Sequence, residues 1–311
     1  MAQFRPDINM RLCIGGRHFE FVPHPLFPKD GRKVFVVEGS QSFTYQVRSQ
    51  ITKRLYALKV IKPTYRSEYV ALVVETVNRL TRIPGFSLPN RICLTRVDHP
   101  DLIKTYSDLE YAVFMPWLEG ITWSAFMQDQ AVSAHYTLQQ ACALAATVAT
   151  LLYDLEVLHL AHADIAGENV FLSADLRYVQ LLDIEGLYLP GVPLPPFCSQ
   201  GSPGYQHRNL GPRGQWYTEG DRFAGAILLT EILTWWSPHV RAVAGHAQTL
   251  FRPTELQTDI SPCWPEVRNT LWSIHPDLLT LFDHAWFSAS LTECPDFHSW
   301  HTILLACLNG M

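Results

Sequence analysis

Several features that would classify the chain quickly are missing from it. Its seven cysteines (Cys13, Cys93, Cys142, Cys198, Cys263, Cys294 and Cys307) form no Cys-x-x-Cys pair and are odd in number. That argues against a disulfide frame or a cysteine-based zinc site, and for free thiols in a reducing compartment. The opening MAQFRPDINMRL has no apolar core of signal-peptide length. Basic excess is absent too: the net charge is -5, and runs such as Lys53-Arg54 and Arg79 to Arg82 are short. Nucleic acid is therefore not expected as a partner. Nor are there repeats or low-complexity tracts, and Pro190 to Pro196 is too short to link independent domains.

Charged residues make up only 17% of the chain against 48% hydrophobic, which excludes disorder and supports a substantial core. The most apolar segments, Ala141 to Leu160 and Phe223 to Trp236, are interrupted by Asp154, Glu156 and Glu231. They read as buried helices, so no membrane partner is expected and the location expected is cytoplasmic. A length of 311 residues suits one large domain or two lobes.

The first third carries strand patterns. Lys33 to Val37 and Phe43 to Val47 flank the turn-like Gly39-Ser40, and Leu55 to Ile61 follows. In that last strand, alternation puts Leu55, Ala57, Lys59 and Ile61 on one face and Tyr56, Leu58 and Val60 on the other. A lysine amid such apolar neighbours either escapes along a sheet edge or serves a charged ligand. Ser67 can cap a helix to about Arg82, with Val70, Val73, Val74, Val77 and Leu80 at helical spacing, and Pro84-Gly85 would stop it. Glu68 and Glu75 share a face of this helix. Strands are expected at Arg91 to Arg96 and Tyr111 to Met115.

Beyond Pro116 the period changes. Helices are expected at Thr137 to Leu158, Gly220 to Trp236, Trp264 to Ile274, Pro276 to Phe287 and Ser299 to Leu308, with short strands at Val170 to Leu172 and Val179 to Leu182. Strands first and helices later make an α+β chain. Between them lies HADIAGENVFL, residues 162–172, with Asp164 and Asn169 five apart. Taken alone, such a pair is a weak signal.

Taken together, the pieces resemble the protein kinase superfamily from about Val34 to Leu308. Tyr-Ala-Leu-Lys at 56–59 resembles the third-strand motif, HADIAGEN the catalytic loop His-Arg-Asp-x-x-x-x-Asn, and Leu181 to Glu185 the Asp-Phe-Gly segment. Gly201-Ser202-Pro203-Gly204-Tyr205 is similar to the end of an activation segment, and Asp221 to the helix-borne Asp that braces the catalytic loop. The resemblance implies a bilobal fold: an N-terminal extension (1–30), a strand-rich N-lobe (31–115) and a helical C-lobe (116–311). It also implies ATP and magnesium as cofactors, and a hydroxyl of a protein or small molecule as acceptor. Lys59 would hold the α- and β-phosphates, with Glu75, or else Glu68, as its carboxylate partner. Gly39, Phe43 and Ala57 would border the nucleotide, and Trp117 and Leu118 would offer backbone groups to adenine. Asp164 would accept the acceptor's proton, with Asn169 and Asp183 as magnesium ligands.

The pattern also departs from the family. Gly39-Ser40-Gln41-Ser42-Phe43-Thr44 keeps only the first glycine of Gly-x-Gly-x-x-Gly, so an ordinary hairpin turn is the competing reading. Ala163 replaces the Arg that reads an activation-loop phosphate, and Ala166 replaces a Lys that stabilises the γ-phosphate. Glu185 replaces a glycine and either assists the metal or faces solvent. His207-Arg208-Asn209 stands for Ala-Pro-Glu, and no Arg lies near Glu293 to Phe297 to pair with the missing Glu. Losing one member of a buried pair costs roughly 3–5 kcal/mol, losing both far less, so the double absence suggests a settled variant. The thirteen histidines, among them His99, His159, His162, His298 and His301, show no third-ligand spacing and are expected to be structural. A nucleotide-binding pseudokinase acting as a scaffold is the alternative to an active enzyme.

Overall fold

In the computed structural model, residues 4–27, 33–80, 91–244, 249–258 and 260–310 are described. The expected helix stop at Pro84-Gly85 lies outside them. The fold is α+β, and its contacts divide into two units. The first holds the described residues up to Glu119, together with Pro195–Phe197; the second holds Gly120–Leu194 and the described residues from Cys198 onward.

The first unit is built on an antiparallel sheet of β1 (Arg11–Ile14), β2 (Arg17–Phe21), β3 (Val36–Glu38), β4 (Ser42–Ser49), β5 (Leu55–Ile61), β6 (Ile92–Cys93) and β7 (Val113–Pro116). The order is β1-β2-β4-β5-β7-β6, with β3 also on β4. Two helices accompany it, α1 (Glu68–Arg79) and α2 (Pro100–Thr105). The β1–β2 hairpin was not expected: Leu12 and Ile14 alternate into the core on one side of Gly15-Gly16, and Phe19 and Phe21 on the other. Both glycines have positive φ, 55° and 73°, a region open to glycine at no steric cost.

The alternation expected in β5 holds. Leu58 and Val60 join the main core with Phe19, Val47 and Phe114, covered by Ile103 and Leu109, and Tyr56 packs against it. The opposite face carries Lys59 directly across from Val113, on which Val70 and Val74 of α1 pack.

The second unit contains a small sheet, β10-β9-β8, of β8 (Ile121–Thr122), β9 (Val170–Leu172) and β10 (Val179–Leu181). Its helices are α3 (Trp123–Gln128), α4 (Gln130–Ser133), α5 (Leu138–Val157), α6 (Arg222–Thr234), α7 (Pro238–Ala244), α8 (Trp264–Ile274), α9 (Pro276–Trp286) and α10 (Phe297–Gly310). α5 starts from a capping box, with Thr137 and Gln140 exchanging side-chain and backbone hydrogen bonds. It ends with His159 in the left-handed region at φ 57°, while Leu160 N–H reaches Leu155 O at 2.9 Å. α5 is the one described helix long and apolar enough to span a membrane, and 56% of that stretch is buried within the structure. α5 packs on α6 and α10, and every residue of α6 except Arg222 is buried.

Candidate functional site

The segment from His162 to Asn169, in the second unit, is held by its neighbours on several sides. Asp221, at the N-cap of α6, accepts the backbone N–H groups of His162 (2.5 Å) and Ala163 (2.8 Å), one on each carboxylate oxygen. Ala163 needs that anchor because its φ of 63° is unfavourable for any residue with a Cβ. Burial pushes the Asp221 carboxyl up to about 6, against the pull of nearby His162 and the two amides. His162 is itself buried and donates its Nε2–H to Leu182 O at 2.6 Å. That bond makes it a structural histidine, as expected.

The loop is tied next to the β9–β10 hairpin. Asn169 donates from Nδ2 to Asp164 O (2.8 Å) and accepts Leu182 N–H on its own backbone carbonyl (2.8 Å). Asn169 therefore sits across from Leu182, and Asp183 follows immediately in the left-handed region at φ 54°. Asp164, Asn169 and Asp183 are thus brought onto one hydrogen-bonded frame. Asn169 Oδ1 and the Asp183 carboxylate are hard oxygen donors, a set that fits magnesium, which keeps water or phosphate oxygens as its other ligands. Among the described residues, no three His, Cys, Asp or Glu side chains form a metal-binding group. Ser202 donates from its hydroxyl to Asp164 Oδ1 at 2.9 Å, linking the glycine-rich segment at 201–205 to the loop.

Beneath the loop lies a buried carboxylate that sequence reasoning passed over. Glu231 of α6 accepts Tyr205 O–H (2.7 Å) and Trp123 Nε1–H (3.2 Å) on Oε2, and Leu250 N–H (2.7 Å) on Oε1. Burial raises it to about 7 despite these donors. Tyr205 and Ser124 also crowd Gly167, where a Cβ would come within 2.9 Å of Tyr205 Oη and 2.7 Å of Ser124 Oγ. Only glycine fits there. A lone acidic residue inside the apolar run Phe223 to Trp236 was the available signal.

The first unit departs from expectation in three places. Lys59 is buried at 4% exposure, on the sheet face toward α1. Glu75, however, is exposed and forms an ion pair with Arg79, so the expected Lys59–Glu75 pair is not made. The cause is helical geometry: at ~100° per residue, turning Val70, Val74 and Val77 inward turns both Glu68 and Glu75 outward. The Gly39 region is a tight hairpin, with Gly39 N–H donating to Ser42 O at 2.9 Å and Glu38 paired with Phe43. Lys62 fastens it, donating from Nζ to Gly39 O and from its backbone N–H to Gln41 O, both at 2.8 Å. In this conformation the Gly39 amide is not turned to a phosphate. The Trp117 amide, expected to face adenine, donates to Leu55 O at 3.2 Å, and half-buried Leu118 follows it. Ala57, on the same face as Lys59, is buried between Gln46 and Met115 on the neighbouring strands.

The segment at 207–209, where no buried ion pair is expected, is held by polar bonds to the residues at and after the end of α9. His207 accepts Asn209 N–H on Nδ1, so its Nε2 carries the proton and donates toward Ser288 O (3.2 Å) and Oγ (3.1 Å). Arg208 donates to Trp286 O at 2.5 Å, a cation at the C-terminal end of α9. Asn209 donates to Ala289 O at 3.1 Å. The chain matches no protein-family model and no curated protein.

Proposed function

We propose that the chain is an ATP- and magnesium-dependent phosphotransferase of protein kinase-like, bilobal fold, moving the γ-phosphate to a hydroxyl of a protein or small molecule. The observation that carries this reading is the frame holding Asp164, Asn169 and Asp183, fixed from below by Asp221 and tied across by His162. Phosphoryl transfer needs an acceptor aimed in line and positive charge over the phosphate oxygens. Asp164 orients the hydroxyl and takes its proton. Asn169 and Asp183 hold the metal, which when bound supplies the positive charge. Lys59 pairs with the α- and β-phosphates, and Ala57 lies against adenine. The test is transfer of labelled γ-phosphate with magnesium, compared with Asp164→Asn and Asp183→Asn. Transfer that survives Asp164→Asn would sink the proposal.

A nucleotide-binding scaffold is the second reading, favoured by the Lys62-fastened hairpin at Gly39 and by the outward Glu75. It predicts ATP binding without transfer to any acceptor.

A further inference from the structure

We infer that the first unit carries a separate binding site for a small aromatic anion, a planar ring system bearing a phosphate or carboxylate. The site is a cavity of about 730 Å³ at the end of the sheet where the β1–β2 and β4–β5 turns and the end of β7 meet. That is the size of a drug-like ligand pocket. Its floor is aromatic: Tyr56 and Phe114 stack at 5.0 Å and 14°, and Phe19 meets Phe114 at 4.6 Å and 60°. The main core is covered elsewhere by Ile103 and Leu109, but here Tyr56 remains half-buried and its ring borders open space.

The rim is cationic. Arg17, Lys53 and Arg54 line the cavity, opposed by the single carboxylate of Glu119. Among the described residues, the ion pairs of this unit engage Lys62, Arg66, Arg79 and Arg96, and none of them draws on Arg17, Lys53 or Arg54. Three cations gathered around one mouth repel each other, and an anion bound among them relieves that repulsion. Lys53 also holds φ 60° at the β4–β5 turn, a region costly for any residue but glycine or asparagine. A ring on the aromatic floor with its anionic group among these cations satisfies both features. Neither a bare anion nor a neutral hydrocarbon does so. Tyr56 points to the opposite face of β5 from Ala57 and Lys59, so this site is distinct from those two residues and shares only Trp117 with the set expected around the nucleotide.

The test is a titration of the full chain with 1-naphthyl phosphate, 2-naphthoate, 1-naphthol and inorganic phosphate, followed by amide NMR. The two aromatic anions should bind at least about tenfold more tightly than either control, shifting the Gly15, Lys53 and Arg54 amides. Combining Arg17→Gln, Lys53→Gln and Arg54→Gln should weaken them about tenfold, with Arg54→Gln alone giving part of that loss. The melting temperature of each variant serves as the folding control. Equal binding of inorganic phosphate would reduce the site to an ion-binding surface and overturn the inference. So would equal binding of 1-naphthol, unaltered affinity in Arg54→Gln and the triple variant, or shifts confined to other residues. Loss of ATP binding in Asp183→Asn leaves these results unchanged, so the two proposals fail separately.

Discussion

Glu231 should make the protein less stable as the pH rises from about 5 to about 8.5. Its carboxyl lies in a helix whose residues are buried from Phe223 to Thr234, and burial lifts it from an ordinary 4.5 to about 7. Between those values the folded protein keeps a proton that the unfolded chain has released. The stabilisation is therefore complete below about 4.5 and is lost as the pH passes through 7. The gap between the two values is worth about 3 kcal/mol. Glu231→Gln has nothing to titrate at this position, although its amide can accept from only part of the Tyr205, Trp123 and Leu250 donor set. Urea unfolding of both proteins across this range, followed by far-UV circular dichroism, isolates the effect. Asp221, raised to about 6, titrates in the same window in both proteins and cancels in the difference. The advantage of wild type over Glu231→Gln should shrink by about 3 kcal/mol toward high pH. A difference flat to within about 0.5 kcal/mol would refute the reasoning, because the three donors would then outweigh burial and hold the group as a carboxylate throughout.

Other perturbations probe the same frame. Asp221→Asn places an amide N–H against a backbone N–H of His162 or Ala163; it should cost about 1.5–3 kcal/mol in thermal or urea unfolding, and an unchanged melt would contradict that. Gly167→Ala drives a Cβ into Ser124 and Tyr205 and should cost about 1–3 kcal/mol, with Gly39→Ala, where the nearest atom is 3.7 Å away, as a mild control. Lys59→Met should strongly weaken ATP binding in a calorimetric titration, whereas Glu75→Gln should change it less than about twofold, its pair with Arg79 being a surface one. A large effect of Glu75→Gln would mean that α1 turns when nucleotide binds.

The strongest periodic segments were legible in the sequence: β5 spans the expected residues, α8 likewise, and α5 begins where Thr137 caps it. Arg91 to Arg96 shortens to Ile92–Cys93, because Leu94 N–H turns to Ala112 O and Thr95 starts a turn closed by Asp98. The β1–β2 hairpin was present as apolar alternation around Gly15-Gly16 but was hidden inside a presumed extension. Glu75 is more instructive. The valine stripe that identifies α1 already turns both of its glutamates outward, so a pair between either of them and Lys59 conflicts with that stripe. The Asp164–Asn169–Asp183 grouping follows from loop spacing and hairpin register, whereas the donors around Glu231 come from segments up to 108 residues apart, which no local pattern reveals.

The latch at His207, Arg208 and Asn209 divides its constraint unequally. An ion pair binds two side chains to a shared fate, since neither can change alone without stranding the other. Here three side chains mostly grip main-chain carbonyls, at 286, 288 and 289, and carbonyls persist whatever residue bears them. Sequence drift on the α9 side is thus largely free to proceed, while His207, Arg208 and Asn209 must stay. Because the bonds join neutral or singly charged donors to peptide oxygens, salt should loosen them little. A junction of this kind can hold through changes of ionic strength that would slacken a paired charge.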